Sequence, residues 1–255
     1  MKIFKALVSW RCSFQEMLGC WQEKGYCEVE DSNDRFSWVD SHKKILLHEH
    51  DRVESLPEYD LGLFANQVIM NNKSKPWIYW PRFPRVMQTK TPKKTYENRP
   101  IGSLFIGCAE NNVQYENRTN QDWKTCVDRF EFYVNFGGNP HKYNYNEYLD
   151  IVAESRFGLS LEGYGNKCQR EIEYMALGVV PVFTWASFNN YWNPLIEGVH
   201  YLYAENPTEA KSKIDSCTKN KWQEMSEQCV LWYNKNCSIE GSFNTTIEIL
   251  NSVPL

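Results

Sequence analysis

The chain has 255 residues, is 42% hydrophobic and 24% charged, and carries a formal net charge of −4. That balance is ordinary for a globular protein; without a basic tract it gives nucleic acid no electrostatic footing, and no run nears the roughly eighteen apolar residues that a membrane-spanning helix needs. Aromatic content, at 15% with ten Trp and fifteen Tyr, is the outlier, and such rings stack on sugar C–H faces as readily as they fill a core.

In chain order the apolar pattern predicts alternating strands and helices. Residues 2–9 read as a strand, and Phe14 to Lys24 as a helix with Phe14, Met17, Leu18 and Trp21 on one face ahead of Gly25. Short strands follow at Phe36 to Val39, Lys44 to His48 and Asp60 to Phe64. The prolines of Pro76 to Arg85 (PWIYWPRFPR) exclude a helix or a central strand there. Residues 88–99 are polar and basic and read as an interdomain linker, after which Ile101 to Gly107 restarts the strand pattern. A helix is predicted over Trp123 to Phe130, a strand over Phe132 to Phe136 and a helix over Tyr145 to Val152. Beyond residue 184 come an aromatic irregular segment, a strand at His200 to Tyr203, a helix capped by Asn206 with Pro207 in its first turn, and helices at Trp222 to Tyr233 and Ser242 to Leu250. The alternation on both sides of the linker predicts an α/β protein with two Rossmann-like, doubly wound domains, residues 1–95 and 96–255, facing a central cleft.

The most informative stretch is Arg156 to Thr184, RFGLSLEGYGNKCQREIEYMALGVVPVFT. Phe157 to Leu161 is strand-length, Gly163 and Gly165 free the next turn, and Cys168, Ile172, Met175 and Ala176 share a helical face. Gly178 suits the residue after the helix, and Val179 to Phe183 is a buried strand of the parallel kind. The βαβ unit so formed places its loop and helix start at the carboxyl edge of a sheet, where ligands bind and where helix N–H groups suit phosphate. Lys167 and Arg170 add cations, Arg being able to fork onto two phosphate oxygens. Glu173, three residues after Arg170, projects on the same side as an acceptor for ribose hydroxyls. The competing reading of Arg170 and Glu173 is an exposed ion pair on an amphipathic helix.

The order RFGLSLEGYG, then Arg170-x-x-Glu173, then Pro181 eight residues on within A-L-G-V-V-P-V-F resembles the nucleotide-sugar-binding core of exostosin-like glycosyltransferases, over roughly residues 96–200. Other two-domain glycosyltransferases carry a similar E-x-M-A-x-G-x-P-V run. The resemblance implies the GT-B architecture, a UDP-sugar donor (of xylose, galactose, glucuronic acid or N-acetylglucosamine), a glycan acceptor, inversion at the sugar carbon and no required metal. It implies donor-binding roles for Gly163, Tyr164, Gly165, Lys167, Arg170 and Glu173, with Glu162 beside the donor sugar. A general base on the acceptor hydroxyl is expected from the first domain, where Asp51 and Glu49 follow the KILLH strand and Asp40, Glu58 and Asp60 are rivals. His48 and His50, two apart on an extended segment, share a face and offer half of a metal site. Trp77, Tyr79, Trp80 and Phe83 are candidates for an acceptor platform, and residues 189–192 for the cleft wall; Arg156 reads as a helix-end charge. A non-catalytic glycan-binding module and a GDP-fucose-type fucosyltransferase, in which Lys usually stands where Arg170 does, are the alternatives.

The nine cysteines are odd in number and form no C-x-x-C, which predicts free thiols in a reducing compartment. The N-terminal MKIFKALVSWRCSF is broken by Arg11 and does not read as a signal peptide, so a cytoplasmic location is expected, with the sequons at Asn72, Asn117, Asn236 and Asn244 idle.

Overall fold

The computed structural model describes residues 1–7, 15–40, 44–48, 56–64, 93–163, 168–185 and 192–252. It is a mixed α/β protein with two five-stranded sheets rich in parallel pairing. Contacts divide the chain into two units, Met1–Gln88 with Phe188–Pro194 and Asn234–Leu255, and Thr89–Ser187 with Leu195–Tyr233. The second unit is therefore not the continuous 96–255 stretch that the sequence suggests, because the last helix clusters with the first unit.

The first unit opens with β1 (Lys2–Ala6), α1 (Gln15–Glu23), β2 (Glu28–Ser32), β3 (Ser37–Val39), β4 (Ile45–His48) and β5 (Leu61–Phe64). Its strand order is β2-β1-β3-β4-β5. β1 runs parallel to β2 and β4 parallel to β5, whereas β3 is antiparallel to both its neighbours. A doubly wound all-parallel sheet is thus not what forms here: residues 40–44 give β3 and β4 a hairpin-length connection, too short for the crossover that parallel neighbours require. β2 (EVEDS) escapes the apolar pattern altogether, because it is an edge strand whose acids pair with β1 lysines, Lys2 to Glu30 at 2.9 Å and Lys5 to Asp31 at 2.8 Å.

The second unit runs β6 (Ile101–Ala109), α2 (Asn112–Thr119), a 3₁₀ turn at Trp123–Cys126, β7 (Arg129–Val134), α3 (Tyr145–Ala153), β8 (Ser155–Ser160), α4 (Gln169–Ala176), β9 (Val180–Phe183), β10 (Leu202–Tyr203), α5 (Pro207–Ser216) and α6 (Lys219–Asn236). Every pair is parallel, in the order β10-β9-β8-β6-β7. The expected helix over Trp123 to Phe130 is replaced by the 3₁₀ turn, which sends Trp123 and Cys126 into the core, and by β7, which starts at Arg129. α2 (NVQYENRT) was hidden from the apolar pattern because among its residues only Arg118 is buried; the Asn111 cap, accepting from Gln114 N–H, sets its start.

Two close contacts fix α4 on this sheet. Tyr174, fully buried, lies flat where Gly158 leaves room: a Cβ at 158 would come within 2.3 Å of the Tyr174 ring. Gly178 then ends the helix in the left-handed region, at φ 69°, as its place in the sequence predicts. At the opposite sheet edge Arg99, with no exposed surface, donates to the carbonyls of Lys94, Ala153, Ser155 and Leu177, tying the last turns of α3 and α4 to the segment that enters β6. Arg156, expected as a helix-end charge, instead lies in β8, with its guanidinium carbon 4.0 Å from the Tyr96 ring centre.

After α6 the chain enters α7 (Ile239–Ser252), which packs on α1. The Trp21 indole donates to the Ile239 carbonyl at 3.0 Å, and Phe243 stacks on Tyr26. Gly241 allows the corner, since a Cβ there would meet the Asn234 carbonyl at 2.0 Å. Every described cysteine is a free thiol. Among the described residues no helix is long and apolar enough to cross a membrane.

Gly158→Ala should destabilise the fold by about 1–3 kcal/mol through overpacking against Tyr174. Urea denaturation checks this, and most of the loss should return in Gly158→Ala/Tyr174→Leu, where the ring is gone.

Candidate anion site at the switch point of the parallel sheet

Counted from its own first strand, the parallel sheet has the order 2-1-3-4-5, and connections leave in opposite directions from β6 and β8. In such sheets a crevice opens at the carboxyl ends of the two strands flanking the reversal. Here those ends are Ala109 and Ser160. The chain leaving Ala109 turns into α2, and the chain leaving Ser160 passes through Gly163 into α4.

Two arginines converge on this edge. Arg118, from the last turn of α2 and 6% exposed, donates through Nε to the Glu162 carbonyl at 3.2 Å and through Nη1 to the Cys108 carbonyl. It thereby clamps the loop after β8 to the end of β6, aided by the Asn117 amide, which donates to the Gly163 carbonyl at 2.9 Å. Arg170, from the first turn of α4, is 9% exposed and reaches over the Phe105 ring, its guanidinium carbon 4.6 Å from the ring centre. Gly107 makes that reach possible, because a Cβ at 107 would lie 2.7 Å from Arg170 Nη2. Among the described residues no carboxylate pairs with Arg170, and its buried Nη1 has no hydrogen-bond partner.

An unsatisfied buried donor is disfavoured by about 1–3 kcal/mol, and more when charged. Burial works against the Arg170 charge, but Tyr174, Cys168, Tyr148 and Glu171 outweigh it and hold its pKa above the ordinary value. Arg118 moves the other way, lowered first by burial and then by the like charge of Arg170. Two mutually repelling buried cations, one with an open donor, form a site that an anion would relieve.

The helix start contributes less than its sequence suggests. Glu171, fully buried, accepts from the Cys168 N–H at 2.8 Å and from Ser160 Oγ at 2.5 Å, so a protein carboxylate already occupies part of the positive end of α4. Nor do Arg170 and Glu173 form an exposed pair, because every residue from Arg170 to Leu177 is buried. Glu173, expected to meet ribose, is 4% exposed and accepts from the Tyr145 hydroxyl at 2.5 Å and from that of Tyr148. Its visible role is to hold α3 against α4. Burial raises the Glu173 pKa, against the opposing effects of the two phenols and Arg170. Glu162, half-buried at the crevice, is likewise raised by burial.

The structure thus brings Gly163 and Arg170 to one sheet edge and places Glu173 behind them. Glu49, Asp51, His50, Tyr164, Gly165, Lys167, the aromatic set 77–83 and residues 189–191 lie outside the described residues. Of the rival carboxylates, Asp60 accepts from the Lys44 N–H at 2.9 Å, Glu58 pairs with Lys44 at 3.6 Å and Asp40 is exposed. His48 is buried against Phe36, and among the described residues no group of three or more His, Cys, Asp or Glu could hold a metal ion. Arg118, Gly107 and Phe105 are the site residues that sequence reading missed. Arg118 lay in an unrecognised helix, and a glycine in an apolar strand does not announce what lies over it.

A folded-state pKa above the ordinary carboxylate value means that Glu173 supports stability most fully below about pH 4 and loses that support as pH rises through its folded value. Glu173→Gln keeps an acceptor for Tyr145 and cannot ionise. The wild type should therefore lose stability relative to this variant as pH rises above about 4, in denaturant melts at stepped pH. No model of a known protein family matches the chain, and no curated protein is significantly similar to it.

Proposed function

We propose that this chain is an inverting glycosyltransferase of GT-B architecture, which resembles the exostosin-like enzymes and moves a sugar from a UDP-sugar to a glycan hydroxyl. The observation that carries the reading is Arg170, a buried guanidinium whose Nη1 has no partner among the described residues, beside the like-charged Arg118 at the switch point of a parallel sheet. A diphosphate supplies what that pair lacks: several oxygens in reach of forked donors, and negative charge that grows as the sugar leaves.

Arg170 would take the diphosphate, with Lys167 adding charge from the adjoining loop and Gly163 and Gly165 letting backbone approach the phosphates. Arg118 would set the depth of the crevice and contribute field rather than a contact, since two of its nitrogens are committed to carbonyls. With cationic side chains offsetting leaving-group charge, the reaction has no need of a divalent ion at that position. Asp51 or Glu49 would act as general base on the acceptor hydroxyl. Glu173 would serve by keeping α4, and so Arg170, in place through Tyr145 and Tyr148.

Calorimetric titration with UDP should give saturable binding to the wild type, weakened by about 2 kcal/mol, or roughly 30-fold, in Arg170→Ala. Equal affinities would remove the diphosphate from this site. Stabilisation by GDP but not UDP in a thermal-shift panel would favour the fucosyltransferase-type reading, and stabilisation by neither a glycan-binding module.

A further inference from the structure

A second cluster of reactive groups stands at the carboxyl end of β6 and β7. Cys108 Sγ lies 3.7 Å from His141 Nδ1, and the Tyr133 hydroxyl lies 3.0 Å from the same nitrogen. On the far side of the ring, His141 Nε2 lies 3.9 Å from Glu110 Oε1. Tyr133 accepts from the Lys142 N–H at 3.4 Å, which leaves its own proton to donate, and it also hydrogen-bonds the Cys108 thiol. Cys108 is partly exposed, and His141 and Glu110 face solvent.

We propose that Cys108 is a histidine-activated thiol and a site of reversible modification by small disulfides. Proton transfer from Cys108 to His141 would leave a thiolate beside an imidazolium. The imidazolium presents Nδ1–H to the thiolate and Nε2–H towards the Glu110 carboxylate, the Tyr133 O–H can turn to the sulfur, and the charges of Arg118 and Arg170 act on the new anion. Every group in the product state has a partner. In the resting state burial and Glu110 keep the thiol above its ordinary range, so it waits protonated until the base takes the proton. Attack on a symmetric disulfide RSSR then forms Cys108–S–S–R and expels RS⁻, which recovers the proton from His141. One S–S bond forms and one breaks; the disulfide is the oxidant, Cys108 being oxidised as the expelled sulfur is reduced to thiol. Cys217, also partly exposed, has no histidine partner among the described residues: burial raises its thiol and only Lys221 opposes it.

The test is independent of the nucleotide reading. Native protein is treated with 5,5′-dithiobis(2-nitrobenzoate), quenched over time and mapped by peptide mass spectrometry. Cys108 should be modified about tenfold faster than Cys217, and His141→Gln should slow Cys108 about tenfold while leaving Cys217 unchanged. Dithiothreitol should restore the free thiol. Modification of Cys108 no faster than Cys217, or an unchanged Cys108 rate in His141→Gln, would overturn the proposal. Because His141 is solvent-exposed, an unchanged Cys217 rate also reports that the variant is folded.

Discussion

The parallel unit depends on where it places one buried charge. Arg99 has no exposed surface and, among the described residues, no carboxylate hydrogen-bond partner; carbonyl oxygens and the face of the Trp222 ring compensate it, and burial pulls its pKa to about 10. Two of those carbonyls belong to the last turns of α3 and α4, where the helix dipoles concentrate negative charge. A single guanidinium therefore fixes the ends of two helices and the entry to β6 at one sheet edge. The starts of those helices then emerge at set positions on the other edge.

Arg170 is at the start of α4, and the contrast with Arg99 is informative. Both are buried in the same unit and, among the described residues, neither has an ion-pair partner, yet Arg99 engages all three of its nitrogens whereas Arg170 leaves a buried one open. The surroundings of Arg170 are as closely fitted as those of Arg99, with Gly107 cleared for it and Phe105 beneath it. What differs is that the described residues provide no acceptor to the Arg170 Nη1. A site built so closely around a cation and then left short of an acceptor is pre-organised for a ligand that brings one.

Much of this was legible in the sequence, and the failures share a cause. Elements that bury apolar residues on a regular period were found: the α4 helix, its glycine stop, the strands on either side of it and the Asn206 cap. Elements whose purpose is polar were missed. β2 is held by Lys–Glu and Lys–Asp pairs, and α2 is anchored by an asparagine cap and one buried arginine, none of which an apolar pattern reports. The same blindness hid Arg118. Arg170 and Glu173 were found by spacing, but their surroundings were not: the helix is buried from Arg170 onwards, and the hydroxyl that Glu173 accepts from is on Tyr145 of α3, far away in sequence.

The glycine beneath Arg170 has a consequence for how the site can change over time. While the guanidinium keeps this place, a Cβ at 107 would come within 2.7 Å of its Nη2 and 2.9 Å of the Phe105 ring, so a side chain there has to push the end of the arginine aside. The two positions, 63 apart by subtraction of their numbers, are therefore coupled to one another. Descendants that keep the arginine in this pose are under pressure to keep the glycine, and those that lose the arginine are released from it, so drift at 107 would mark lineages in which this crevice has been reshaped.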